Sequence, residues 1–133
     1  MTLSRAETRT ISIAAPPARV VEYLADPRHL PEWAPGFATA VDHDHDDVWR
    51  VHTEGGPRRV AVRVAAAHGV VDVVSADAPT VGLFTRAVPN QAGTELVFSL
   101  FFPEDTDPSA VDAQLAVVGE ELRAVRERVE SAP

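Results

Sequence analysis

The order of hydrophobic and polar residues predicts that the chain begins with a strand followed by a short helix. Residues 8–14 alternate between polar and apolar side chains, with Ile11 and Ile13 on one face, as in a half-buried strand. Two consecutive prolines end the strand and suit the first turn of a helix. A proline after Asp26 stops this helix, and residues 28–36 are expected to form a helical turn and a loop. The apolar side of the helix carries Val20, Val21, Tyr23 and Leu24.

From residue 37 to residue 102 the pattern changes to short runs of period two separated by turn signals. This pattern predicts an antiparallel meander. Glycine, proline, asparagine and aspartate mark the connections, which are about five residues long at most, as hairpins prefer. Six strands are expected, at residues 37–43, 48–53, 58–65, 69–76, 80–88 and 94–102.

The last element gives the strongest helical signal. Asp107 can cap a helix and Pro108 suits its first turn, and the helix is expected to run towards Glu130. Such a helix could form a coiled-coil dimer, but packing across a sheet explains its apolar stripe without a partner. We expect intramolecular packing, and the chain can be a monomer or a homodimer. The stripe consists of Val111, Leu115, Val118, Leu122, Val125 and Val129.

Length and composition predict one globular domain over residues 1–133. Hydrophobic residues make up 45% of the chain and charged residues 24%, which suits an ordinary folded protein rather than a disordered one. The chain contains no cysteine, and its twelve basic residues are all arginines. Thiol nucleophiles, iron–sulfur clusters and Schiff-base chemistry are therefore excluded. Any catalysis would depend on Asp, Glu, His, Arg and Tyr.

The charge balance narrows the range of partners. A net charge of −8 and a pI near 5.0 disfavour nucleic acid and anionic membranes, so a neutral or cationic small molecule is expected instead. No apolar run approaches the ~20 residues of a membrane span, and the first residues do not resemble a signal peptide. We therefore expect a cytoplasmic protein without membrane insertion. The usual nucleotide, hydrolase and metalloprotease motifs are missing, and no cofactor is expected.

Four segments carry a resemblance to a known family. These are ISIAAPPARVVEYLADPRHLPEWAPGF, HGVVDVV, FTRAVPNQAGTELVFSLFFPE and AVDAQLAVVGEELRAVRERVE. They resemble a bacterial subgroup of the START-like helix-grip superfamily, also called SRPBCC or polyketide cyclase/dehydrase proteins. The resemblance implies an α+β fold: a strand, two short helices, a six-stranded antiparallel meander, and a long C-terminal helix packed across the curved sheet over a deep cavity. Members bind lipids, sterols, plant hormones or aromatic polyketides, and some cyclise or dehydrate them.

Strand parity predicts which residues face that cavity. If the turn PNQAG pairs Val88 with Thr94, then Arg86 opposes Leu96, and the even-numbered residues share the concave face. Asp72, paired with Phe84, joins the same face. An aspartate and an arginine on an apolar wall are costly unless they pair with each other or with a ligand. Asp72 and Arg86 are therefore candidate catalytic residues, with a structural ion pair as the alternative. A slip of one residue in the register would move both into solvent.

Further candidates come from the predicted wall and its helical cover. Around EGGP, pairing of Val51 with Val60 and of Trp49 with Val62 places the indole on the apolar side. Gly119 interrupts the last helix and could leave room for a ligand, at a cost of ~1 kcal/mol relative to alanine. His68 could reach the cavity mouth, although a turn histidine is the simpler interpretation. The expected ligand-binding residues are Trp33, Trp49, Val62, His68, Phe84, Phe98, Val118, Gly119 and Leu122.

Residues 41–47, VDHDHDD, could bind a metal ion because two histidines and four aspartates fall within seven positions. Alternating side chains of a strand point to opposite faces, however, so no three ligands converge. We interpret this segment as a solvated turn and expect no metal.

Three functions fit these patterns. The first is binding of a small apolar or aromatic metabolite, similar to a lipid or polyketide, in a cavity between the sheet and the C-terminal helix. The second is a polyketide cyclase or dehydratase, in which Arg86 would hold a carbonyl or enolate oxygen and Asp72 would move protons. The third is an interaction module whose cavity is filled by its own side chains. The lack of a compact catalytic constellation favours binding and leaves enzymatic activity uncertain.

Overall fold

The computed structural model describes residues 2–132. Its seven strands form one antiparallel sheet in the order β1-β7-β6-β5-β4-β3-β2, so the first strand closes against the last and every other neighbour is a hairpin partner. Apart from that closing pair, the sheet is the predicted meander. The strands are β1 Arg5–Ile13, β2 Ala40–His45, β3 Val48–Thr53, β4 Gly56–Ala65, β5 Val70–Ser75, β6 Gly82–Asn90 and β7 Gly93–Phe102.

Three α-helices complete the fold: α1 Pro17–Ala25, α2 Leu30–Trp33 and α3 Pro108–Ser131. A proline occupies the first turn of each one, where its missing N–H leaves no hydrogen bond unmade. The Asp107 side chain accepts a hydrogen bond from the backbone N–H of Ser109 at 2.9 Å and so caps α3. These local signals begin the helices where the sequence predicts them.

The long helix α3 packs within its own chain. It lies mainly against β1 and also contacts α1, α2 and β7. Most of the predicted apolar stripe is buried, with Leu115 half-buried. Intramolecular packing therefore accounts for the stripe, as expected. At one end of the sheet, α1 inserts Val20, Val21 and Leu24 into the core and closes that end.

The register of β6 and β7 differs from the prediction by one residue. Val88 pairs with Glu95 rather than Thr94, because the connection is a two-residue turn at Gln91 and Ala92 instead of a turn centred on Gln91. Gln91 has a φ of 54°, the left-handed conformation that a tight hairpin requires. A shift of one residue exchanges the faces of a strand. Thr85 and Ala87, not Phe84 and Arg86, therefore share the concave face with β7.

Of the other predicted strand pairings, the one between β5 and β6 is observed, and the one between β3 and β4 is shifted by two residues. The predicted pairing of Asp72 with Phe84 is confirmed. Trp49 pairs with Val60, not with Val62, which is a shift of two residues around the Gly55–Gly56 turn. A shift of two keeps each side chain on its face, so the indole still lies on the concave side, as predicted.

The segment VDHDHDD forms more strand than predicted. β2 runs from Ala40 to His45, and the turn is reduced to Asp46 and Asp47, with Asp46 at a φ of 47°. The pairing of β2 with β3 is irregular between His43 and His45. β2 starts later than predicted because residues before Ala40 belong to a turn after α2.

Among residues 2–132, no helix is both long enough and apolar enough to cross a bilayer.

Candidate ligand-binding cavity

A cavity of about 1340 Å³ lies between the sheet and the helices α2 and α3. This volume exceeds the roughly 300–1,000 Å³ of ordinary ligand pockets because the cavity includes a wide mouth. The mouth lies at the end of the sheet opposite α1, where β5 and β7 end and β6 begins, and exposed Leu3, Phe37 and Val81 border it. The apolar inner wall consists of Leu30, Trp33, Val60, Val73, Leu83, Leu100, Phe102 and Val118.

One acidic side chain lies in this wall. Glu121, on α3, is only 9% exposed, and it lines the cavity one helical turn after Val118. Burial alone raises the pKa of this carboxyl from an ordinary 4.5 to about 7, and no neighbouring charge or hydrogen bond within residues 2–132 contributes. A carboxyl with a pKa near neutrality can both donate and accept a proton at cellular pH.

A residue of the same wall, Trp33, also carries a polar group without a partner among residues 2–132. Trp33 is 3% exposed, and its buried Nε1–H makes no hydrogen bond to any part of residues 2–132. The ring packs on Phe98, with 5.7 Å between the ring centroids. Most buried donors in proteins are paired, so this N–H is an exception within the described residues.

The residue before Trp33 fixes α2 in place. Glu32 accepts a hydrogen bond of 2.9 Å from the hydroxyl of Tyr23 on α1, and its carboxylate lies 3.7 Å from Arg128 of α3. Burial, followed by this hydrogen bond, raises the pKa of Tyr23 well above its usual value. These contacts join α2 to the two other helices and so hold Trp33 over the sheet.

Apart from Glu121, the charged residues of the cavity lining within residues 2–132 lie towards its open side. Arg59 is paired with Asp77 at 2.6 Å, and Arg58 is exposed. Both arginines belong to the start of β4, near the mouth. A ligand would thus meet polar, solvated groups at the entrance and mainly apolar groups inside.

The structure brings two of the predicted ligand-binding residues, Trp33 and Val118, to the cavity wall. Four others lie on the concave side or on α3 but form part of the packed core next to the cavity: Trp49, Val62, Phe98 and Leu122. The space that they were expected to border is filled by other core side chains. The cavity is thus displaced towards the open end of the sheet.

The three remaining ligand-binding candidates lie away from the cavity. Phe84 is on the convex face, where it packs edge-on against Phe101 at 5.9 Å. His68 is exposed in the 3-10 turn Ala66–His68, at the opposite end of the sheet from the cavity mouth. A Cβ at Gly119 would contact the side chain of Arg123 at 3.6 Å, so the glycine does not open α3 towards a ligand or Trp49.

The predicted concave location of Asp72 and Arg86 is wrong. The one-residue shift between β6 and β7 places both on the convex face. Arg86 is exposed and pairs with Val97, while the half-buried Asp72 approaches Arg63 at 4.0 Å. This placement removes the geometric argument for a catalytic role of either residue.

The histidines and aspartates of β2 do not converge either. His52 of the neighbouring strand contacts Asp42 at 2.7 Å, and His45 contacts Asp44 at 3.3 Å. Within the described residues, no group of three or more acidic, histidine or cysteine side chains is arranged to hold a metal ion.

Glu121 was not among the sequence candidates, although the sequence contains a signal for it. The residue follows Val118 by three positions and precedes Val125 by four, so helical periodicity places a carboxyl on the apolar side of α3. The neighbouring Glu120 is exposed, which is the usual position for glutamate on such a helix.

The sheet wrapped around a long C-terminal helix, with a cavity between them, is the helix-grip architecture of START-like proteins. A family model described as polyketide cyclase/dehydrase and lipid transport matches residues 6–130. The chain belongs to this family, which confirms the resemblance found in the sequence. No curated protein matches the chain.

Solved structures show the same fold at low sequence identity. The Zhui aromatase/cyclase from Streptomyces sp. R1128 is 21% identical, with a TM-score of 0.70 over 95% of this chain and 93% of that one. A START superfamily protein from Mycobacterium smegmatis is 16% identical, with a TM-score of 0.69 over 94% and 97%. The protein XoxI from Bacillus cereus is 15% identical, with a TM-score of 0.70 over 95% and 96%.

Proposed function

We propose that the protein binds a small apolar or aromatic molecule, similar to a lipid or polyketide, in the cavity between the sheet and α3. The observation that carries this proposal is the cavity of about 1340 Å³ with a mainly apolar inner wall. A folded chain of this size ordinarily fills its interior to high density, so a large apolar space is best explained by a ligand. The same space argues against an interaction module with a filled pocket.

A binding experiment with a matched pair of variants on β6 tests this proposal. Leu83 lines the cavity, whereas Val88 lies on the convex face of the same strand and is 37% exposed. An environment-sensitive apolar dye should bind the native wild-type protein saturably and with defined stoichiometry. Leu83→Trp should weaken this binding at least roughly tenfold by filling the cavity, and Val88→Trp should leave it unchanged.

Near-ultraviolet circular dichroism should show that all three proteins keep native packing during the titration. The proposal fails if the native wild-type protein shows no saturable binding. It also fails if the two tryptophan variants bind the dye equally well.

A second candidate function is a cyclase or dehydratase acting on such a ligand. The family description and the carboxyl of Glu121 inside the cavity favour it, because this group can exchange protons near neutral pH. In this hypothesis Glu121 takes the proton-transfer role first assigned to Asp72. The protein should then accelerate ring closure of a linear poly-β-ketone, and Glu121→Gln should abolish the acceleration. A pure binding protein would bind the ketone without changing its rate of cyclisation.

A further inference from the structure

Building on the proposed ligand cavity, we propose that Glu121 selects ligands that carry a hydroxyl group on an otherwise apolar body. Glu121 is thereby assigned as the specificity-determining residue of the cavity. The ligand class is that of phenols and apolar alcohols, rather than hydrocarbons or cationic amines.

The position of the carboxyl supports this assignment. Glu121 is nine-tenths buried, and neither a hydrogen bond nor an ion pair connects it to the rest of residues 2–132. An unpaired polar group in an apolar wall destabilises the fold unless something in the cavity pairs with it. Core packing does not require glutamate here, since Val118, one helical turn before it, is aliphatic and lines the same cavity.

The chemistry of the carboxyl favours a hydroxyl partner. With a pKa of about 7, Glu121 is present in both the protonated and the ionised form near neutral pH. A hydroxyl group donates to the ionised form and accepts from the protonated form, so it pairs with both. A ketone pairs only with the protonated form, and an ammonium group forms an ion pair only with the ionised form. An ammonium group would also lose its hydration on entering the apolar wall.

Trp33 lines the same wall, but its unpaired Nε1–H is buried against the protein and presents almost no surface to the cavity. Selection of the hydroxyl therefore depends on the carboxyl of Glu121.

The test compares three naphthalene probes of similar size: 2-methylnaphthalene, 2-naphthol and 2-naphthylmethylamine. The measured quantity is the ratio of the dissociation constants of the methyl and hydroxyl probes. Replacing Glu121 by leucine should lower this ratio roughly threefold to tenfold, the range of a single hydrogen bond. Glu120→Leu, at the exposed neighbouring position, should leave the ratio unchanged.

Glu121→Gln provides a variant that keeps the size and hydrogen-bonding capacity of the side chain, and it should retain most of the preference. Quenching of Trp33 in a Trp49→Phe background reports binding, because these are the two tryptophans of the chain.

Two results overturn the inference while the proposed function stands. One is an equal ratio in the wild type and Glu121→Leu, with all probes still bound saturably. The other is tightest binding of the cationic amine. If none of the three probes binds the native protein, the proposed function fails and the inference fails with it.

Discussion

Replacing Glu121 by glutamine should stabilise the protein above neutral pH and have little effect at low pH. The glutamine keeps the shape of the side chain but cannot ionise. In the wild type the buried carboxyl must lose its proton as the pH rises, and its surroundings offer no compensating charge or hydrogen bond within residues 2–132. Glutamine has no such proton to lose, so the variant does not lose stability by this deprotonation.

The size of the effect follows from the pKa of Glu121. Between pH 4.5 and about 7 the folded protein holds a proton that the unfolded chain has released, so the free energy of unfolding falls as the pH rises. Each pKa unit corresponds to about 1.4 kcal/mol, and the difference between 4.5 and about 7 amounts to roughly 3 kcal/mol. Above about pH 7 the carboxyl is ionised in both the folded and the unfolded state, so its contribution to the free energy of unfolding falls no further.

The other ionisable groups near α3 do not change the expected direction of the stability difference between Glu121→Gln and the wild type. Burial is the one cause of the raised pKa of Glu121 within the described chain. The other charged or titratable groups on the cavity lining and on the elements packed against α3 are Arg58, Arg59, Asp77, Arg5, Glu7, Arg9, Arg19, Glu22, Tyr23, Glu32 and Glu95. Their contributions are common to the wild type and the variant, so they cancel in the difference.

Urea denaturation of the wild type, Glu121→Gln and Glu120→Gln at several pH values from about 4.5 to 8 would measure the effect. The free energy of unfolding of Glu121→Gln relative to wild type should rise by roughly 3 kcal/mol across this range. The exposed control, Glu120→Gln, should show no such trend. A constant difference between Glu121→Gln and wild type would refute the argument, because it would mean that the carboxyl titrates alike in the folded and unfolded states.

Four further substitutions test the packing and the corrected register. Thr94→Val removes the hydroxyl that donates to the carbonyl of Ala15 at 2.7 Å, and it should cost about 1–3 kcal/mol of unfolding free energy in urea. Leu122→Ala, at a position only 3% exposed, should cost about 2–5 kcal/mol in the same assay and lower the thermal midpoint. Asp72→Asn and Arg86→Met should each change the unfolding free energy by less than about 1 kcal/mol, since both residues lie on the convex face. A large loss from either one would contradict this placement.

The element order was predictable because each element carries its own local signal. Prolines begin the helices, the strands alternate, and the stripe from Val111 to Val129 repeats at helical spacing along the 24-residue helix α3. The register was less predictable, since it depends on the length of each turn. A two-residue turn in place of a three-residue turn at Gln91 was enough to move Arg86 from one face to the other. The shift of two at the Gly55–Gly56 turn left Trp49 on its predicted face.

The candidate site was predicted only in part for a related reason. Trp33 and Val118 were identified because large apolar residues on a helical cover are expected to face the sheet. Glu121 was missed because helical periodicity was used to find apolar residues and not to find polar exceptions among them. Its burial depends on how α3 is rotated on β1 and α2, which is a property of tertiary packing.

The charged residues of β2 have a consequence for the behaviour of the protein at high concentration. β2 is an outer strand, bonded to β3 alone, so its other side presents unpaired backbone groups that could recruit a strand from another molecule. The acidic and imidazole side chains from Asp42 to His45 and the irregular pairing near His43 make this edge a poor template for such addition. Valine at positions 42 and 44 would turn it into an uncharged, β-branched ribbon, the kind of segment from which fibrils grow. The segment that first suggests a metal site thus helps to keep separate molecules from joining their sheets.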